Sequence, residues 1–348
     1  MSFFSVFLGF SLLVSLSAAE PEPLPRSATP FLSPTTVQNY QKMVQNFRIF
    51  IYKPIKTLNF PTPAESLFYN SLQNSPFMTQ NAEEADLFFV PLSPDFSPRS
   101  LARFIGSLRK EHPYWDRTLG ADHFYLSCPG IRVVSDRNIV ELKKNSVQVS
   151  CFPTRNIDEF VPHKDLTLPP LSNPPEAPHA PPNKTTAFLG YVRHGGVNSS
   201  NLVNGLVNDP EFLIESEPSD MSTYAERLAG SKFCLFEYGN GDASWIGHAL
   251  RFGCVPVVIA DAPVNDLPFM DVLRWQEMAV FVRSRGVEEL KHVLRMTWRE
   301  RYEHMRGLGV VASKHFVWNE SPWPFDSFNT VMYQLWLRRH TIRYRRVE

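Results

Sequence analysis

The sequence predicts an α/β protein made of two Rossmann-like units that face each other across a cleft. Three observations carry that expectation. Apolar runs of strand length alternate with segments of helical spacing, which is the pattern of a parallel sheet. The alternation stops once, at the proline-rich stretch "LPPLSNPPEAPHAPPNKTT", and then restarts. The chain has 348 residues, more than a typical single domain holds.

The elements follow in order. An apolar run extends from Phe3 to about Ala19. Ser17-Ala18-Ala19 suits a signal peptidase, and the run is also close to the roughly 20 residues that span a bilayer. Residues 1–19 are therefore a signal peptide or a signal anchor, and either sends the chain into the secretory pathway. Residues 20–45, rich in Pro and Ser, read as a short stem. An N-terminal unit is expected over 46–167. In it "FRIFIYKP" is a strand ended by Pro54, and a helix follows from Pro63 to about Asn74. "ADLFFVPLS" is a continuous apolar run, as in a strand buried on both faces. "RSLARFIGSLRKEH" places Leu101, Phe104, Ile105 and Leu108 on one side of a helix, and "DHFYLS" is the next strand.

Residues 168–185 hold too many prolines for a helix or a central strand and read as a linker. A C-terminal unit is expected over 186–320. "AFLGYV" is a strand, and "TYAERLAG" is a helix with Ser222 or Thr223 as N-cap. "KFCLFEY", "CVPVVIA" and "MAVFVRS" are strands; "SWIGHALRF" and "GVEELKHVLRMT" are helices. The tail, 321–348, reads as a helix, aromatic and then basic. Its arginines suit a solvated face better than an anion-binding patch.

Hydrophobic residues make up 43% of the chain, ample for two cores, and the formal net charge is zero, so no nucleic-acid partner is expected. Asn183, Asn198 and Asn319 head glycosylation sequons. Four cysteines, with no Cys-x-x-Cys spacing, suit an oxidising lumen and not structural zinc. Cys234 and Cys254 sit on consecutive strands and could reach each other, as could Cys128 and Cys151; buried thiols are the alternative.

The stretch "SKFCLFEYGNGDASWIGHALRFGCVPVVIAD", residues 231–261, concentrates the chemistry. It reads as strand, glycine loop, helix, turn, strand. Glycines such as Gly239 let the backbone approach a ligand closely. The next helix starts near Ala243, capped by Asp242 or Ser244, and turns its first N–H groups toward the crevice. A diphosphate could sit there on backbone amides, although the loop itself holds no Lys or Arg. An ordinary βαβ turn is the competing reading.

Several segments, in order along the chain, resemble one family. "YAERLAGSKFCL", "ALRFGCVPVVIAD" and "LPFMDVLRW" are similar to the donor-binding region of the exostosin-like glycosyltransferases, glycosyltransferase family 47. "FRIFIYKP", "AEEADLFFVPL", "HPYWDRTLGADHFYLS" and "FVPHKDLTLPP" resemble that family's N-terminal half. The resemblance implies a GT-B fold and a type II Golgi membrane protein. It implies inverting transfer from a nucleotide sugar, UDP-linked by expectation, to a polysaccharide or glycoprotein glycan. It implies no cofactor and no Asp-x-Asp metal site, and the chain has no such tripeptide. Association with another glycosyltransferase is also compatible with it.

The family's motif departs here at its charged positions. Gly239 is kept, but Glu237 stands where the family has Pro, His248 at the position of a ribose-binding glutamate, and Trp245 at that of a phosphate-binding arginine. Ser244 stands near the family serine. The donor set expected from these matches is Gly190, Arg193, Glu237, Tyr238, Gly239, Asp242, Ser244, Trp245 and His248. Arg193 would supply the missing cation, and Trp245 could stack on a base or sugar. An inverting transferase needs a general base, for which Asp122 and His123, then Glu237 and Asp242, are the candidates. The alternative is a non-catalytic relative, a partner or lectin-like subunit that has lost donor binding.

Overall fold

The computed structural model describes residues 29–132, 135–154, 160–171, 188–193, 201–216, 220–238, 242–284 and 286–342. Among them no helix is long and apolar enough to cross a membrane. The segment 1–19, Gly239, Asn183, Asn198 and most of the linker lie outside the described residues.

The first unit alternates strands and helices: α1 (Thr36–Asn46), β1 (Ile49–Ile51), α2 (Pro63–Gln73), β2 (Met78–Thr79), β3 (Leu87–Phe89), α3 (Pro98–Glu111), α4 (Tyr114–Thr118), β4 (His123–Leu126), α5 (Arg137–Asn145), β5 (Val147–Cys151) and β6 (Leu166–Leu168). Its six strands are all parallel, in the order β2-β1-β3-β4-β5-β6. β3 is buried throughout, as its unbroken apolar run requires. α3 buries Leu101, Phe104, Ile105 and Leu108, the stripe its spacing draws.

The second unit holds β7 (Phe188–Arg193), α6 (Asn201–Leu206), β8 (Phe212–Glu215), α7 (Met221–Gly230), β9 (Ser231–Glu237), α8 (Ile246–Phe252), β10 (Val255–Ile259), α9 (Trp275–Met278), β11 (Val280–Val282), α10 (Val287–Glu300) and α11 (Tyr302–Ala312). Its five parallel strands run β11-β10-β9-β7-β8. Gly253 ends α8 at φ 72°, a left-handed conformation in which a Cβ would also meet the Arg306 side chain. α7 is capped by Asp220, which accepts from the Thr223 N–H, and not by Ser222 or Thr223. The cap sits two residues before Ser222 because Met221 and Ser222 already belong to the helix.

The ends of the chain depart from expectation. Residues 29–46 are not a stem: α1 buries Tyr40 and Met43, and Phe31 bridges to Leu273. The tail is helical as expected, in α12 (Ser327–Arg338), but of its arginines Arg338 and Arg339 are half-buried, and Arg343, Arg345 and Arg346 lie outside the described residues. Its residues Ser327 to Trp336 are all buried, and it crosses back to pack on α1 and β6 of the first unit. Tyr40 lies 6.3 Å from Tyr333 and Phe68 5.5 Å from Phe328, ring to ring. Arg338 pairs with Asp271 at 2.7 Å, and Arg339 lies over Trp336. An apolar tail that touches both units buries more surface there than it could in water.

A second tie is Asp266, 1% exposed in the loop after β10. Its carboxylate accepts from the Thr154 N–H at 2.8 Å and from the Tyr238 hydroxyl, and its carbonyl from Thr167 Oγ1 at 2.9 Å. The loops after β5 and β9 are thereby held on one buried side chain. Both cysteine pairs are disulfides, Cys128–Cys151 and Cys234–Cys254, with Cα separations of 4.7 and 5.6 Å.

Candidate functional site

A parallel sheet that winds in both directions opens a crevice beyond the carboxyl ends of its strands, where the winding reverses. In the second sheet that point lies between β7 and β9. The last residue of β7 is Arg193, and the last of β9 is Glu237. Arg193 lies 5.6 Å over the ring of Tyr224 on α7 and 3.9 Å from Asp242 Oδ2. Asp242 Oδ1 accepts the Ser244 N–H at 2.9 Å and so shapes the turn into α8. The Tyr224 hydroxyl meets His248 Nδ1 at 3.2 Å. Arg193, Tyr224, Asp242, Ser244 and His248 therefore form one connected polar patch at the reversal. Burial raises the Tyr224 hydroxyl pKa, against the nearby Arg193 charge, so it stays a neutral phenol.

In the first sheet the reversal lies between β1 and β3. A cavity of about 190 Å³ opens beside it, at the ends of β3 and β4, walled by Leu92, Ser93, Phe96, Leu126 and Ser127. The one carboxylate on its wall, among the described residues, is Glu65 in the first turn of α2. Thr62 caps α2 and is tied to Glu65 twice: its side chain accepts from the Glu65 N–H at 3.2 Å and donates to Oε2 at 2.9 Å. Glu65 Oε1 accepts the Cys128 N–H at 2.8 Å, which anchors the loop after β4. Each carboxylate oxygen keeps a second lone pair.

The comparisons with known proteins bear on this arrangement. A protein-family model described as the exostosin GT47 domain matches residues 43–297. The chain belongs to the exostosin GT47 family. A probable glycosyltransferase of Arabidopsis thaliana is 29% identical over 339 residues, which cover 88% of this chain and 71% of that protein. The probable beta-1,4-xylosyltransferase IRX10 of the same plant is 30% identical, over 70% of this chain and 67% of its own length. A probable glucuronosyltransferase of Oryza sativa subsp. japonica is 31% identical, over 72% and 64%. Among solved structures, Anabaena HepE in complex with UDP overlaps with a TM-score of 0.40 at 8% identity, over 85% of this chain and 99% of that one. An overlap that loose decides nothing about this chain. Family membership makes the chain a glycosyltransferase by descent, with the paired parallel sheets of the GT-B fold.

Within this exostosin GT47 chain several expected site residues prove to be structural. Asp122 and His123 are fully buried at the amino end of β4, the wrong end of the sheet for a ligand. His123 Nδ1 faces Asp122 Oδ1 at 2.6 Å, and Nε2 faces the Tyr52 hydroxyl at 2.9 Å. Burial pushes the His123 pKa down despite Asp122. Burial pushes Asp122 up, but bonds from His123, Thr118 and Arg117 outweigh it and hold the carboxyl below its usual range. The stable state is thus a neutral imidazole donating to a carboxylate, with its other nitrogen already accepting from Tyr52. Neither residue is a general base.

Gly190 is a packing glycine and not a donor contact. A Cβ there would stand 2.6 Å from the Phe212 ring. Trp245 is 1% exposed, its ring 4.1 Å from that of Phe236 and 5.4 Å from that of Tyr191, so it offers no face to a base or sugar. Tyr238 turns away to Asp266. Glu237 is half-buried, opposite Ile259 of β10. The Asn319 side-chain amide is half-buried and donates to Asp326 at 3.0 Å, a bond that glycosylation would have to displace. Sequence reasoning missed Tyr224 and Glu65. Tyr224 reads as one apolar residue of an amphipathic helix. Thr62-Pro63-Ala64-Glu65 carries a capping-box signal, which points to a helix start and not to a cavity.

Proposed function

We propose that this chain transfers a sugar, with inversion, from a UDP-linked donor to a growing cell-wall polysaccharide or other glycan in the Golgi. The observation that carries the reading is the coincidence of chemistry with topology. Both sheets place polar groups beside the point where their winding reverses, Arg193 with Asp242 in one and Glu65 with its cavity in the other. The family's relatives named as xylosyl- and glucuronosyltransferases support the substrate class.

In this reading the Arg193 guanidinium takes the charge of the leaving diphosphate once Asp242 yields it, and the Tyr224 and His248 pair orients it. The acceptor lies in the first unit's cavity. Its hydroxyl oxygen attacks the anomeric carbon, the bond to UDP breaks, and the hydroxyl proton passes to Glu65. Alignment of the two substrates supplies much of the rate.

Thermal unfolding with 1–5 mM UDP tests the donor half, because a ligand of the native state raises the midpoint. Wild type should shift upward and Arg193→Ala should not. A screen of nucleotide-sugar hydrolysis then names the donor. The second reading, a non-catalytic subunit, is favoured by Trp245, which fills the position of a phosphate-binding arginine with a buried ring. Absence of any shift in the wild type would establish it.

A further inference from the structure

A groove on the far side of the first unit has the chemistry of a glycan-binding site. It lies between α1, the carboxyl half of α2 and the loop before α12, and holds about 650 Å³. Ser75 to Phe77, on its wall, lead into β2. The groove therefore opens at the amino ends of the strands, opposite the cavity that carries Glu65.

Its walls are amide and aromatic. Gln41, Gln45, Asn70 and Asn74 line it beside Tyr40 and Phe328, and among the described residues Glu320 is its only carboxylate, with no Lys, Arg or His. The side-chain amides of Gln41 and Asn70 make no hydrogen bond among the described residues. Ser71, 4% exposed, lines the groove, and its hydroxyl has no partner among the described residues. A buried hydroxyl without a partner is a hydrogen bond left unmade beside the groove.

Trp323 lies in sequence between Pro322 and Pro324, both of which line the groove. It is 69% exposed. Trp298 is also half exposed, but Lys232 lies 3.8 Å over its ring. No ring or cation covers Trp323 among the described residues. Its backbone is nonetheless held: Trp323 N–H donates to Asp326 at 2.8 Å, and its carbonyl accepts from Asn329 at 2.9 Å. An open indole on a fixed turn is a preorganised platform. Its faces suit the C–H faces of a sugar ring, and the free amides suit hydroxyl groups in either role. A neutral wall gives no attraction to phosphate, and an amide-lined one suits a polyhydroxyl chain better than an apolar peptide.

We infer that this groove binds a neutral polysaccharide at a point remote from the transfer site. It would hold the acceptor chain near the protein between turnovers. The inference does not depend on the transfer chemistry, because binding is read without donor.

Affinity gel electrophoresis of the full chain in gels cast with xylan, glucomannan or heparin tests it. At least one neutral polysaccharide should retard the wild type. Trp323→Ala should weaken that retardation at least tenfold, with an unchanged thermal midpoint because the ring is exposed. Asn70→Ala should weaken it less, and Arg193→Ala should leave it as in the wild type. Retardation by heparin alone, by no neutral polysaccharide, or equally in wild type and Trp323→Ala would overturn the assignment.

Discussion

Acidification from pH 7 to pH 5 should destabilise the chain through His315, a residue with no part in the proposed chemistry. Its side chain is fully buried, between the rings of Phe31 at 5.3 Å and Phe325 at 5.9 Å. Nδ1 donates to the Phe325 carbonyl at 2.7 Å, and Nε2 has no partner among the described residues. A proton on Nε2 would leave a charged N–H against apolar rings. Burial, helped by the Lys314 charge and opposed by the Phe325 bond, pushes the pKa from 6.5 to about 3. For a base with a depressed folded pKa, the unfolded chain takes up the proton first. Stability is full above about 6.5 and falls as the pH drops toward 3. Each pH unit inside that window costs about 1.4 kcal/mol, so the step from 6.5 to 5 costs about 2 kcal/mol. Urea unfolding at pH 7 and pH 5 measures it in the wild type and in His315→Gln, whose amide can still donate to Phe325. The difference between the two pH values should shrink by about 2 kcal/mol in the variant. An equal loss in both proteins would refute the reasoning. A smaller slope should persist in the variant, because burial depresses His123 as well.

Three further outcomes follow from the packing. His123→Gln should lower stability by about 2–4 kcal/mol, since it unpairs the buried Tyr52 and Asp122 groups, and KM for donor should stay unchanged in the folded fraction; a selective loss of kcat at full stability would restore His123 to the catalytic site. Gly190→Ala should cost about 1–3 kcal/mol in urea unfolding through the Phe212 clash, and a neutral result would mean that β7 and β8 can part freely. Cys234→Ser with Cys254→Ser opens a bridge over 20 residues and should cost about 3 kcal/mol, read as a lower thermal midpoint.

Regular structure in this protein was written locally. The apolar runs around Phe88 and Val257 announce parallel strands, and the stripe from Leu101 to Leu108 announces its helix, because backbone periodicity acts over a few residues. Gly253 ends α8 for the same reason: its left-handed geometry is a property of one residue and its neighbours. The family resemblance was also carried by short ordered words, and it held.

The site was legible only in part. Arg193, Asp242, Ser244 and His248 were expected to converge, and they do, because each stands at the end of a strand or the start of a helix, where topology sends ligands. Direction along the strand decided Asp122 and His123. A residue before a strand and one after it look alike in sequence, but they sit at opposite ends of the sheet. Trp245 and Gly190 turned on what fills the space beside them, Phe236 for one and Phe212 for the other, and those partners lie on other elements. The tail's helix was legible, but not its burial, because an aromatic run shows that a helix is apolar and not which surface covers it. Only the return of α12 across both units, and the carboxylate of Asp266 between them, decided how the two halves are joined. Contacts between residues tens to hundreds of positions apart leave no local trace in a single chain.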